Sequence, residues 1–213
     1  WDGEHLTNYL TDCRISGNYV ESLAVEQDGT VWAGSQSLIN RYDGHAWQTF
    51  TASGESVPFN ASVPYNKVIS IAAVPGNGVW FGSFLGAAQY RDGTWMIHQW
   101  KEYSSTFSVT SMTIGPKRCL WFGLLSGVCR YDGESWKTFT PLDGLAETNV
   151  RAIAAGPSGE VWAVIQWTNS VFRFDGIRWV DFSSVVGLAD TTINDITVGL
   201  DGSAWFATQN GIK

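Results

Sequence analysis

Histidine, cysteine and positive charge are all scarce in this chain, and each scarcity removes a class of function. The 213 residues hold three histidines and three cysteines. No Cys-x-x-Cys or His-x-x-His spacing occurs, so a zinc site is not expected. No Asp-x-Asp-x-Asp-Gly run occurs either, so calcium lacks its usual loop. With neither motif, no metal or cofactor is expected. Thirteen Lys and Arg stand against twenty Asp and Glu, a net charge of −7. The cations are scattered, whereas a phosphate backbone is held by clustered ones, so nucleic acid is not an expected partner. Several cations precede an aromatic at one repeated position (Arg41-Tyr42, Arg130-Tyr131, Arg173-Phe174) and belong to the fold. No apolar run reaches the roughly 18 residues of a spanning helix, so membrane insertion is not expected. The first residue is Trp1 rather than Met and no leader pattern follows, which suggests processing or a piece of a longer chain. No segment sustains a 3.6-residue apolar period, so helix content is expected to be minimal.

What the chain has in quantity is tryptophan, twelve of them, with 23 glycines. A Val-Trp-Phe-Gly motif recurs in variant spellings at Val31-Trp32-Ala33-Gly34, Val79-Trp80-Phe81-Gly82, Leu120-Trp121-Phe122-Gly123, Val161-Trp162-Ala163-Val164 and Ala204-Trp205-Phe206-Ala207. A period of about 40 residues with four short apolar runs per repeat is the mark of a β-propeller. The third repeat shows the plan, with strands from Val109 to Ile114, Cys119 to Gly123, Gly127 to Tyr131 and Trp136 to Thr140. Asp-Gly recurs between the third and fourth strands, at Asp43-Gly44, Asp92-Gly93, Asp132-Gly133 and Asp175-Gly176. That dipeptide predicts type I′ hairpins, which need positive φ at both central residues.

The expected fold is all-β: one domain over 1–213, a five-bladed β-propeller of four-stranded antiparallel blades. The blades fall at about 18–51, 66–101, 108–140, 149–183 and 192–213 plus 1–10. Trp1-Asp2-Gly3 aligns with Tyr42-Asp43-Gly44, so residues 4–10 read as a fourth strand that closes the last blade. Closure of that kind removes exposed sheet edges. Trp32, Trp80, Trp121, Trp162 and Trp205 share one blade position; Trp47, Trp95, Trp136 and Trp179 share another. Recurrence at symmetric sites predicts blade-to-blade packing for all of them. Cys119 and Cys129 flank a hairpin centred near Leu124. They either face each other, where a disulfide could form and would favour an oxidising compartment, or sit as small buried hydrophobes.

The repeat, with its Gly-x-Val-Trp-Phe-Gly, Arg-Tyr-Asp-Gly and Trp-x-x-Phe-Thr elements, resembles the two-component regulator propeller repeat. It does so most closely over Val20 to Phe50, Val109 to Thr140 and Gly144 to Phe182. The resemblance implies an extracytoplasmic module, periplasmic, secreted or on the cell surface, such as the sensory part of a bacterial histidine kinase. Family arrays often carry seven or more blades per ring. The motif residues are structural and specify no ligand.

Departures from the repeat are therefore the candidate binding residues. Propeller loops that join second to third strands, and fourth to first, share one face. There the long loop 53–66 carries Phe59 and Tyr65, and the loop 100–108 carries Trp100 and Tyr103. An insertion at 166–169 lifts Trp167 out of register. Aromatics on irregular loops suit a protein partner or a small polar or carbohydrate ligand. Glu21, Arg151 and Asn194 add polar groups on the channel-side strands among small residues. The expected function is non-catalytic recognition. A scaffold subunit docking in a larger complex is the second reading. The third is an enzyme similar to streptogramin B lyase, a propeller that uses a histidine. Against it, His5, His45 and His98 fall on turns or a fourth strand, away from the usual active mouth.

Overall fold

A computed structural model describes residues 19–36, 38–50, 67–98, 108–145, 148–184, 188 and 191–213. Within them the chain is a five-bladed β-propeller with almost no helix. Blade 1 holds β1 (Val20–Val25), β2 (Val31–Ser35), β3 (Ile39–Tyr42) and β4 (Trp47–Phe50). Blade 2 holds β5 (Val68–Val74), β6 (Gly78–Ser83), β7 (Gly86–Arg91) and β8 (Thr94–His98). In blade 3 are β9 (Val109–Ile114), β10 (Leu120–Leu124), β11 (Gly127–Tyr131) and β12 (Trp136–Phe139). In blade 4 are β13 (Val150–Ala155), β14 (Val161–Ile165), β15 (Val171–Phe174) and β16 (Trp179–Asp181). Blade 5 shows three strands among the described residues: β17 (Ile193–Val198), β18 (Ala204–Thr208) and β19 (Gly211–Ile212). The expected closing strand at 4–10 lies outside the described residues. Every sheet is an antiparallel meander, with each strand hydrogen-bonded to the next in sequence. The first strands are innermost, β1 packing on β5, β5 on β9, β9 on β13 and β13 on β17.

The core lies between blades rather than within them, because each twisted sheet must cover both faces. Trp32 of blade 1 packs on Phe81 and Tyr90 of blade 2, with ring centres 5.3 and 5.2 Å away. Trp80 meets Phe122 and Tyr131 of blade 3 in the same way, at 5.9 and 5.3 Å. Trp121 meets Phe174 of blade 4 at 5.2 Å, and Trp162 meets Phe206 of blade 5 at 6.1 Å. Burying such a side chain contributes about 3 kcal/mol. Trp205 departs from the expected pattern: it is exposed, with no following blade among the described residues to receive it.

Two polar details lock the seams. The Ser70 and Ser111 hydroxyls accept the backbone N–H of Met112 and Ile153 from the next inner strand, at 3.1 and 3.3 Å. Opposite these serines stand Gly82 and Gly123. A Cβ on Gly123 would lie 2.6 Å from Val150 Cγ1, so the seam needs a hydrogen there.

One sequence expectation is corrected and one open alternative is decided. Among the four described Asp-Gly turns between third and fourth strands, only Asp92-Gly93 has positive φ at both residues, 51° and 77°. In the other three the carboxylate replaces that geometry. Asp132 Oδ1 accepts the N–H groups of Glu134 and Ser135, and Asp43 and Asp175 do likewise in their turns. The turn is therefore closed by the side chain, and only the glycine is left-handed. Of the two arrangements open to Cys119 and Cys129, the structure has no bridge between them: both are free. Cys129 pairs with Phe122, whereas Cys119 precedes the strand that begins at Leu120 opposite Tyr131, so the two are out of register. Cys129 is buried and Cys119 only half-buried.

Candidate functional site

Each innermost strand carries a β-bulge at one repeated place. The ladder skips from Val20 to Ser22, Val68 to Ser70, Val109 to Ser111, Val150 to Ala152 and Ile193 to Asp195. The residues left out are Glu21, Ile69, Thr110, Arg151 and Asn194. A bulge releases its residue from pairing and re-aims the side chain. All five stand next to the loop end of the channel-side strands.

Four of the five join neighbouring blades. Arg151 donates from Nη2 to Asn194 Oδ1 at 2.9 Å, linking blades 4 and 5. The Thr110 hydroxyl reaches the Val150 carbonyl at 2.6 Å, linking blades 3 and 4. Glu21 forms an ion pair with Lys67 at 2.7 Å, linking blades 1 and 2. Of the sequence candidates, then, Arg151 and Asn194 are brought together, while Glu21 engages Lys67 instead. Lys67 and Thr110 were missed. Thr110 had a signal, the phrase of a β-branched residue, a variable one and a small one that opens the first strands of blades 1 to 4 and whose middle position is the bulge; Lys67 precedes that phrase and had none.

A polar hollow of about 410 Å³ opens on the same face between blades 4 and 5. Thr168, Asn169, Thr191, Thr192, Gln209 and Asn210 line it with hydroxyls and amides, with Ser183 and Leu188 completing the wall. Among the described residues no charged side chain lines it. The walls are fixed locally. Asn169, at φ 56°, holds the N–H of Ile193 with its side-chain oxygen at 3.3 Å, and Gln209 N–H donates to the Thr192 carbonyl at 3.0 Å. Trp167, next to Thr168, is 75% exposed. The corresponding turns of blades 2 and 3 are apolar instead, with Phe84, Leu85 and Leu125 exposed. Phe59, Tyr65, Trp100 and Tyr103 lie outside the described residues.

A larger cleft, about 590 Å³, runs between blades 1 and 2 near the opposite turns and is lined by Glu26, Asp28, Arg41, Arg91 and Asp92 among others. Its charges serve the fold. Glu26 accepts the Trp32 indole N–H at 2.7 Å, Asp28 accepts the N–H of Thr30, and Arg41 lies over the Trp32 ring. His45 sits in an exposed turn, and His98 is half-buried against Trp80, where burial lowers its pKa. Burial pushes the Cys129 thiol the other way, up to about 12. Among the described residues no three His, Cys, Asp or Glu side chains group as metal ligands, and no helix is long and apolar enough to cross a membrane.

Neither a protein-family profile nor a curated protein sequence matches the chain. Solved structures do. The extracellular domain of the hybrid two component system BT3049 from B. thetaiotaomicron superposes with a TM-score of 0.72 at 22% identity, over 93% of this chain and 27% of that one. A streptogramin B lyase superposes at 0.69 and 18% identity, over 91% of this chain and 63% of the lyase. YCF48, solved bound to D1 peptide, gives 0.61 at 16% identity over 91% and 64%. What is shared is the propeller. The chain spans about a quarter of the first of these proteins and less than two thirds of the other two. An extracellular domain of a two component system, a lyase and a peptide-bound protein on one fold also illustrate that a propeller does not fix an activity.

Proposed function

We propose that this chain is a non-catalytic recognition domain of an extracytoplasmic protein, and that its loop face takes a protein partner or a small polar or carbohydrate ligand. One observation carries the reading. Departures from fivefold symmetry gather at the loop end of blades 4 and 5, where the Arg151–Asn194 pair, the hollow lined with hydroxyls and amides, and exposed Trp167 lie near one another in sequence and fold. Hydroxyl and amide walls beside an exposed indole suit a neutral ligand with many hydrogen-bonding groups. The two-component extracellular domain among the similar structures agrees with such a role.

Screening neutral oligosaccharides and unstructured peptides against the folded chain by thermal shift tests the proposal. A hit whose affinity falls at least about tenfold in Trp167→Ala or Asn210→Ala supports it. Hits that are indifferent to both substitutions overturn the placement. A scaffold role is the second reading, favoured by the apolar turns at Phe84, Leu85 and Leu125. It expects a protein partner whose capture is lost in Leu125→Asp.

A further inference from the structure

Departures from the repeat converge a second time, on the face opposite the loops. The cleft of about 590 Å³ between blades 1 and 2 lies there, and every residue lining it is described. At the next three seams a turn side chain crosses to the neighbouring blade. A methyl group on Gly76, Gly159 or Gly202 would stand 3.0, 3.6 or 3.8 Å from Arg118, Pro116 or Glu160 of the adjoining blade. A methyl group on Gly29 of blade 1 would meet nothing within 4 Å, and this seam stays open.

The fold anchors the charges on the two walls without using them up. Glu26 stands where blades 3 to 5 have Gly115, Gly156 and Gly199, each donating its N–H to the carbonyl four residues on. Its Oε1 accepts the Trp32 indole N–H at 2.7 Å, a task that needs no carboxylate. Ser203 serves Trp205 with a hydroxyl, and the Trp80 and Trp162 indoles have no acceptor at all. Arg91 stands where Asp43, Asp132 and Asp175 close their turns, next to Tyr90, which pairs with Trp95 as Tyr42 does with Trp47. Asn77 Oδ1 steadies it, accepting from Arg91 Nη1 at 3.3 Å and from Gln89 Nε2 at 3.1 Å. Gln89 in turn replaces the arginine that lies over the second-strand Trp in blades 1, 3 and 4. On the facing wall Arg41 lies 5.7 Å from the centre of the Trp32 ring and takes part in none of the described ion pairs.

We propose that this cleft binds a small zwitterion of the amino-acid class, a free amino acid or a dipeptide. Arg41 and Arg91, one from each wall, receive the carboxylate in charge-assisted hydrogen bonds. Glu26 Oε2, which Trp32 does not use, and Asp28 receive the ammonium. A simple anion would face Glu26, Asp28 and Asp92, and a simple cation would face Arg41 and Arg91. A ligand carrying both charges answers both sets. Val25 and Tyr90 leave apolar wall for a side chain, and small-molecule sites span roughly 300–1,000 Å³, a range that includes this cleft. The proposal is independent of the loop-face reading.

Calorimetric titration of the 213-residue chain with the twenty L-amino acids and their glycine dipeptides, at millimolar concentration, tests it. The expected result is saturable binding of at least one of them. Its N-acetylated form and its amide should each bind at least about tenfold more weakly. Glu26→Gln keeps an acceptor for Trp32, and Arg91→Gln changes an exposed side chain, so both variants should fold and lose binding to the same degree. A panel without a hit overturns the proposal. A hit whose N-acetylated form or amide binds as well as the parent compound overturns the ligand class. That comparison needs no variant, so it stands even where a substitution misfolds. A hit indifferent to both substitutions and lost in Trp167→Ala belongs to the loop face, which overturns the placement.

Discussion

The imidazole of His98 stacks on the indole of Trp80, ring centres 4.4 Å apart and planes within 21° of parallel. Phe50 and Phe139 hold the same place against Trp32 and Trp121 in their own blades, at 5.8 and 5.3 Å. Blade 2 has therefore replaced an apolar ring with a titratable one inside a seam.

A pH dependence follows. Burial lowers the His98 pKa below its ordinary 6.5, so the unfolded chain binds the proton more readily than the folded one. Its contribution to stability is complete above about 6.5 and declines as pH falls through that value toward the folded pKa. Urea unfolding between about pH 7.5 and 5 should show this slope, and His98→Phe should flatten it. An unchanged slope in the variant would assign the dependence to other groups.

Two tryptophans should respond oppositely to truncation. Trp121 is buried in the seam between blades 3 and 4, and Trp121→Ala should cost about 3–5 kcal/mol. Trp167 is largely exposed, and Trp167→Ala should stay within about 0.5 kcal/mol of the parent. Denaturant midpoints decide both. A large loss at Trp167 would mean that the loop 166–169 is framework and not a contact surface.

Acid should loosen the turns between third and fourth strands. Two backbone N–H groups and the Ser135 hydroxyl hold the Asp132 carboxyl down to a pKa of about 2. That stability is present above the ordinary value of 3.8 and is lost as pH falls through about 2. Asp132→Asn keeps an acceptor oxygen but cannot titrate, so its Tm should fall less than the parent's on acidification from about pH 5 to 2.

Thiol labelling should separate the two described cysteines. Cys129 is buried with its pKa pushed up to about 12, and should react with a maleimide only after unfolding. Cys119, half-buried, should react first. Recovery of a peptide joined through Cys119 and Cys129 under oxidising conditions would contradict the observed strand register.

The blades were legible because their signals are local. Trp-Phe-Gly and Asp-Gly mark positions that every repeat must fill, and strand order follows from them. Misreadings arose where one residue's shift or one side chain's bond mattered. The hairpin of blade 3 turns at Leu125-Ser126, beyond Leu124, and that displacement separates the two cysteines. The Asp43, Asp132 and Asp175 carboxylates close their turns in a way that no dipeptide rule reports. For the site, Glu21, Arg151 and Asn194 stood out as polar residues on small-residue strands. Lys67 and Thr110 did not, because each meets its partner across a blade boundary more than 35 residues away in sequence. The exposed state of Trp205 was hidden by its symmetry, since sequence alone gives all five tryptophans the same claim to burial.

The bulges at Glu21, Ile69, Thr110, Arg151 and Asn194 separate two tasks that a β-strand usually combines. Residues in the ladder answer to the neighbouring strand of their own sheet, while the bulged residue is left out of that pairing and, at Glu21, Thr110, Arg151 and Asn194, answers to the next blade instead. An inner rim can thus be respelled one letter per blade, charged, amide, hydroxyl or apolar, while the sheets beneath stay the same. Diversity of recognition on such a scaffold needs no new loop, only a new letter at a position the fold has already set free.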